Sequence, residues 1–594
     1  FSINLNVAFS QSNYDYTLAK EYYINGEFEK AAHIFEKVFK KTKTKDLYSK
    51  YLDCLIKIQS YKKAEKTIKA YNTKKRSSTL HLDLGHLYLI MGNLDDANNQ
   101  FELSIEAASK SDRELASVAT QFYKKNLLDY ALKSYLLCKN QTNYLFQIAN
   151  IYSQLGDIEN MYSKLISLLS IRPKYFQTIK NKIRRSISDD SENENNKRLK
   201  KIILKNIQKN SSFEISKLYV WLLIQEKNLS DALKHEMSID KRYGNNTDGI
   251  SYVGDIAKSN KNYPVALDCF EYILNKKNVS VYDYEYSLIN KLNIQFLILF
   301  NKIGATKKEI EDTAKELRNT INEIGTKPET ISVIKNYSTI LFELLNKTDE
   351  AISLMQKTIL DPSLSNYDVA ICKMELAKML VNTGLMWDAS LIYSQVEKEF
   401  KNDIIGQEAK FEKIKINYYN GEFEWAQSQL NILKESTSKL IANNAMELAL
   451  LISDNLNLDT SDEALSIYAN AELLYRQRKH SDAMNALDSL EKKFPNHSLS
   501  DEILFKKANI SMANKNYPNA LIYLNKIETD FYYDILYDDA LYKQGLIYEE
   551  VLLDHDIALK KYEKLLLMAP NSIYLSFARQ KYRDLRKNNF LIQQ

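Results

Sequence analysis

Residues His81 to Phe101 read HLDLGHLYLIMGNLDDANNQF, and this stretch decides the fold. It opens with apolar residues at helical spacing, turns at Gly92-Asn93, and restarts with Leu94-Asp95-Asp96-Ala97. A glycine there lets one helix end in a left-handed residue. An alanine shortly afterwards lets the second helix approach the first closely. Gly85, twelve positions before Ala97, supplies the matching small residue on the first helix. Phe101, one turn beyond Ala97, falls on the same face as a bulky knob.

The phrase recurs in both directions along the chain. It returns as Gly26 to Ala31, Asn126 to Ala131, Asn262 to Ala266, Gly421 to Ala426 and Asn516 to Ala520. The alanines Ala31, Ala64, Ala97 and Ala131 are 33, 33 and 34 positions apart, and Ala232 and Ala266 are again 34 apart. Small residues twelve positions upstream recur as Ala19, Ala119 and Gly254, and knobs as Phe35, Tyr135 and Phe270. A fixed period of this length is the signature of a stacked-repeat architecture. Thirteen anchors follow the pattern: Ala31, Ala64, Ala97, Ala131, Met161, Ala232, Ala266, Ala351, Ala389, Ala426, Ala483, Ala520 and Ala558. Beyond Ala351 the interval lengthens to 37 or 38, with one of 57 between Ala426 and Ala483. Residues 174–215 and 275–335 keep helical periodicity without a clean phrase and are expected to be degenerate or lengthened helix pairs.

Composition agrees. A chain of 594 residues has 13 glycines and 7 prolines, where average usage gives about 42 and about 30. Such a shortage leaves little room for phosphate loops, hairpins or Pro-rich stalks. At 45% hydrophobic and 26% charged residues, it is neither a disordered chain nor a membrane bundle. The expectation is an all-α protein, an α-solenoid of about thirteen helix pairs. The expected divisions are 1–11, 12–173, 174–335, 336–468 and 469–594.

The repeat, as carried by Gly85, Tyr88, Ala97 and Phe101, resembles the tetratricopeptide repeat (TPR) family. The block 469–594, with its Phe494-Pro495-Asn496 ending and Tyr574 to Arg579, resembles the modules of BamD- and YbgF-type envelope proteins. With the Lys/Asn/Ile/Tyr-rich composition, the chain is similar to periplasmic TPR proteins of Bacteroidota. The resemblance implies a non-catalytic scaffold that binds partner proteins or peptides, envelope components among them, along a groove lined by the first helix of each pair. The family's groove positions fall on Lys20, Tyr23, Asp53, His86, Thr120, Tyr123 and Asn150. No repeated Asn/Lys clamp for a peptide carboxylate stands among them.

Phe1 to Gln11, FSINLNVAFSQ, is apolar and ends in Ala8-Phe9-Ser10, as the tail of a signal peptide would. Export to the periplasm or cell envelope is therefore expected; the alternative is a cytoplasmic adaptor. The longest apolar stretch, Leu288 to Phe300, is interrupted by Asn290, Lys291, Asn293 and Gln295, so no membrane span is expected. The cysteines Cys54, Cys138, Cys269 and Cys372 are far apart and read as small buried hydrophobes.

Charge is uneven. Residues 1–210 hold 35 Lys and Arg against 22 Asp and Glu, a net of +13, and the rest hold 46 against 54, a net of −8. The basic half is expected to be a solvated face; the alternative is a surface for an anionic polymer. Nucleic acid is disfavoured, because the aromatics sit at repeat-core positions instead of alternating with the basic runs. The seven histidines form no HExxH or other ligand pair, and GxGxxG, GxxxxGK[ST] and GxSxG are absent. No catalytic residue, metal or cofactor is implied.

Overall fold

The computed structural model describes residues 14–71, 77–209, 212–244, 247–302, 304–436, 439–456 and 462–592. The expected leader, Phe1 to Gln11, lies outside them. Among the described residues there is no strand; helices follow one another in antiparallel pairs, the α-solenoid class. Two compact units divide the chain, one ending at Val253 and the other starting at Gly254.

Each of the thirteen anchors is the fourth residue of the second helix of a pair, and each is fully buried. Ala31 lies in Phe28–Lys41, Ala97 in Leu94–Ala108 and Ala558 in His555–Met568. Burial at that point explains the small side chain. Opposite Ala97, a Cβ built on Gly85 would stand 2.6 Å from the Phe101 ring, well inside ordinary packing distance.

Every turn between the two helices of an anchored pair has one left-handed residue, five positions before the anchor. Five are glycines (Gly26, Gly92, Gly156, Gly384 and Gly421) and two are asparagines, Asn126 and Asn346. Sequence reasoning expects only these types. The remaining six are Gln59, Lys227, Lys261, Arg478, Lys515 and Leu553, each holding a conformation that costs an L-residue about 1–2 kcal/mol. What over-determines it is the hydrogen bond that closes the turn. The N–H after the left-handed residue donates to a carbonyl five positions back, as Ser60 does to Leu55 and Lys479 to Leu474.

Two pairs break the twelve-residue spacing for one reason. Ile340–Leu344 and Ile547–Val551 are π-helical turns at the ends of first helices. Each takes in one extra residue, and the closing bond runs six positions back, from Lys347 to Leu341 and from Asp554 to Tyr548. The crossing residues are accordingly thirteen before the anchor: Ser338, fully buried, and Gly545, packed against Tyr562.

The stretches without a phrase are also helical. Phe176–Ile183 with Glu194–Lys209 bury Ile179, Ile183, Leu199 and Ile203. Val281–Asn301 and Lys307–Ile324 form a long pair. The 57-residue interval has a simple cause: one additional helix, Lys439–Leu456, stands between the pairs anchored by Ala426 and Ala483. All four cysteines are buried.

Candidate interaction surfaces

In the first unit the first helices of successive pairs run 14–24, Lys45–Lys57, Ser77–Ile90, Asp112–Lys124 and Leu145–Leu155. Residues one repeat apart are neighbours across this row. The Tyr23 hydroxyl donates to Asp53 Oδ2 at 2.8 Å. Burial, followed by that bond, pushes the phenol up to about 12. His86 Nδ1 accepts from the Lys125 ammonium at 3.2 Å. Burial and the Lys125 charge hold the imidazole down at about 4, against the pull of Asp53. Burial also lowers the Lys125 ammonium, although Asp83 and Asp53 oppose it.

The structure therefore brings three expected groove residues, Tyr23, Asp53 and His86, onto one polar seam. It adds Lys125, which sequence reasoning missed because Lys125 lies in the turn beyond its helix. The others are distributed differently. Lys20 and Thr120 are exposed, and the Thr120 hydroxyl donates to the Ala116 carbonyl and stands 3.0 Å from the Tyr135 hydroxyl. Tyr123 packs against the hydrophobic core of its unit. Asn150 is half-buried on the fifth first helix.

A tyrosine bonded to a carboxylate on an adjacent first helix recurs along the chain. Tyr48 donates to Asp83 at 2.6 Å, Tyr286 to Asp255 at 2.9 Å and Tyr574 to Asp539 at 2.7 Å. Each joins residues 31–35 positions apart, so the hydroxyl ties one repeat to the next. Some of the 41 tyrosines are thereby explained as ties between repeats, each worth about 1–3 kcal/mol as a bond to a charged group.

Two hollows differ in sign. In the first unit, Lys40, Lys43, Lys62, Lys63 and Lys66 surround a cavity of about 700 Å³ in which Glu36 is the one acid among the described lining residues. Glu36 accepts from Lys63 at 2.5 Å. Two basic runs that are separate in sequence thus meet on one surface. In the second unit the inserted helix Lys439–Leu456 walls two adjoining cavities of about 890 and 930 Å³. They share Glu447, Leu450, Phe505, Asp534, Ile535 and Leu536.

The cations of the 890 Å³ cavity are held by two glutamates. Lys506 donates to Glu472 at 2.6 Å, while Arg476 and Lys415 reach Glu412 at 3.0 and 3.1 Å. Asp501, Glu502 and Asp534 stand together beyond these pairs. Burial, then the bond to Asp501 and the charges of Asp501 and Asp534, push the Glu502 carboxyl up to about 9. Burial and Asp501 raise Asp534 as well. The 57-residue interval was the sequence signal for this site: an interruption of the period places a helix where no repeat helix would stand.

Among the described residues no three His, Cys, Asp or Glu side chains gather as a metal site. Nor is any helix there long and apolar enough to cross a membrane.

Residues 468–532 and 539–572 match the tetratricopeptide repeat. No curated protein matches the chain in sequence. Three solved structures align with it at low similarity. A Naa15/Naa10 complex bound to HypK-THB is 14% identical over 97% of this chain and 96% of its own, with a TM-score of 0.26. The APC/C hetero-tetramer Cut9-Hcn1 is 14% identical over 98% of both chains, with a TM-score of 0.23. A tetratricopeptide repeat protein from Parabacteroides merdae is 12% identical over 51% of this chain and 99% of its own, with a TM-score of 0.22. With scores this low, the architecture rests on the chain's own helix pairs. The other pairs share the anchors, left-handed turns and knobs of the matched segments, which are similar to the tetratricopeptide repeat.

Proposed function

We propose that this protein is a non-catalytic scaffold that holds partner proteins or peptides against the face formed by the first helices of its repeats. The observation that carries this reading is the seam Tyr23–Asp53–His86–Lys125. Successive first helices there present fixed polar side chains with exposed Lys20 and Thr120 alongside. Preorganised polar groups on a rigid row favour specific recognition, because little side-chain entropy remains to be lost on binding. Photo-crosslinking side chains at Lys20 and Thr120 should trap partner proteins in whole cells, while one at Lys37, exposed on a second helix, should not. Equal trapping at all three positions would remove the reading.

The site of action proposed is the bacterial cell envelope, supported by the apolar Phe1 to Gln11 segment with Ala8 and Ser10. A reporter enzyme that folds only outside the cytoplasm, fused to the chain expressed from its natural gene with its own upstream codons, should become active; an inactive reporter assigns a cytoplasmic adaptor.

The convergence of five lysines on one hollow favours a second reading, an anionic polymer bound by the first unit. Retention on heparin should then fall steeply as salt rises from about 50 to about 200 mM. Replacing Lys62, Lys63 and Lys66 by Ser should abolish it.

A further inference from the structure

The cavity of about 930 Å³ in the second unit joins features that rarely coincide on a solvated surface. Its rim carries Tyr532, Tyr533, Ile535 and Ile573, which are 65, 73, 78 and 78% exposed. Contiguous apolar side chains left in water mark an interaction site. The charged residues lining it are Glu447, Asp534, Asp538 and Asp539, with no lysine or arginine among the described lining residues. Asp501, bonded to the protonated Glu502 beyond the shared wall, adds to the negative field. We propose that this hollow docks an extended segment of a partner protein bearing a lysine or arginine beside aliphatic or aromatic residues.

Charge complementarity selects this occupant. An acidic peptide would bring like charge to a wall already crowded with carboxylates, and a purely apolar one would leave that crowding unrelieved. An ammonium or guanidinium set between Glu447 and Asp534 relieves it. The neighbouring side chains of the segment would cover Ile535 and Ile573, and Tyr532 and Tyr533 offer ring faces to the cation. The inserted helix Lys439–Leu456 supplies Met446, Glu447 and Leu450 to this wall, so the site depends on a helix that interrupts the pairing. The inference rests on the scaffold reading and narrows it to one surface and one partner chemistry.

The test uses the full chain and three fluorescent ten-residue peptides: Lys alternating with Leu and Tyr, the same with Glu for Lys, and Lys alternating with Ser. The first should bind and the other two should not. The pair Glu447→Gln and Asp534→Asn should weaken binding about tenfold or more, and Ile535→Ser with Ile573→Ser should do the same. All four positions lie on the surface of the hollow, and unchanged thermal melting confirms that the variants fold. Undiminished binding by both variants overturns the proposal. So does binding of the Lys/Ser peptide that disappears in about 0.5 M salt, which is unspecific charge attraction. Self-association of the chain that Ile535→Ser abolishes would overturn it too, by assigning the face to a second copy. Crosslinking at Lys20 and Thr120 should not change in these variants. Its persistence after a failed peptide test would discard this surface and keep the scaffold; its loss everywhere would discard both.

Discussion

The two compact units are built from one repeat but tie themselves together differently. In the first unit, bonds between repeats join neighbours, as Tyr23 to Asp53, His86 to Lys125 and Lys227 to Asp189 do. In the second unit, side chains also reach across several repeats. Arg476 Nε donates to Asn382 Oδ1 at 3.0 Å, 94 positions away. Arg478 donates to Asn346 at 3.0 Å and pairs with Glu343, 132 and 135 positions away. Lys261 lies 4.1 Å from the ring centroid of Phe577. Repeat arrays are usually quasi-one-dimensional, each unit stabilised by the next. The first unit keeps that rule in the bonds named here, and the second does not. The lesson is that one local code can yield either a chain of loosely coupled repeats or a cooperative body, depending on a few long-range clasps.

The largest expected effect comes from adding a β-carbon at one close approach in each unit. A Cβ on Gly406 would run into the carbonyl oxygen of Phe400, a backbone atom. Gly406→Ala should cost about 3 kcal/mol. Gly85→Ala meets the Phe101 ring at 2.6 Å and the Ala97 carbonyl oxygen less closely, at 3.0 Å, and should cost about 1–2 kcal/mol. Amide exchange should speed up throughout the second unit in the former variant and only near repeats 77–136 in the latter. An equally local response in both would break the comparison.

Removing the clasps comes next. Arg476 is 16% exposed and also bonds Glu412 at 3.0 Å. Arg476→Ala should destabilise the second unit by about 2 kcal/mol, below the full cost of breaking a buried pair because Lys415 still serves Glu412. Adding Arg478→Ala should broaden its denaturant transition while the transition of the first unit stays put.

The units should also respond oppositely to pH. His86 is held at about 4 in the fold, against about 6.5 for a free imidazole. The unfolded chain therefore binds more protons between those values, and stability of the first unit falls as pH drops from about 6.5 towards 4. Glu502 is raised to about 9, so its carboxyl keeps a proton that the unfolded chain has lost above about 4.3. Stability of the second unit should then fall as pH rises towards 9. His86→Gln and Glu502→Gln should each flatten the dependence of one unit alone, as read by pH-dependent denaturant titration.

The smallest effect concerns the turns. Leu553→Gly should stabilise the second unit by up to about 1 kcal/mol, by relieving a left-handed β-carbon. Gly26→Ala should destabilise the first unit by a similar amount. Melting temperatures should move in opposite directions.

The repeat was open to reading in the sequence because its chemistry is local. Anchor, upstream small residue and knob lie within one pair, and all thirteen anchors stand where the period puts them. The turns were only half legible. Gly and Asn announce a left-handed residue, but Lys261, Arg478 and Leu553 are held there by the hydrogen bond that closes the turn, which composition does not encode. The seam was legible where both partners occupy repeat positions, as Tyr23 and Asp53 do, and hidden where Lys125 reaches in from a turn. The acidic hollow was hidden most deeply. Glu447, Glu502 and Asp534 lie on different helices and turns, and only the folded chain sets them on one wall.

The π-helical turns at Ile340–Leu344 and Ile547–Val551 have a consequence for how such a chain can change length. An extra residue in an α-helix turns everything after it by about 100° around the axis, which would swing the next anchor off its crossing. Held in a widened turn, the same residue leaves Ala351 and Ala558 buried. These two turns act as expansion joints. A one-residue deletion in either should be absorbed by reversion to ordinary helix, whereas the same deletion in Ser77–Ile90 would turn Gly85 away from Phe101.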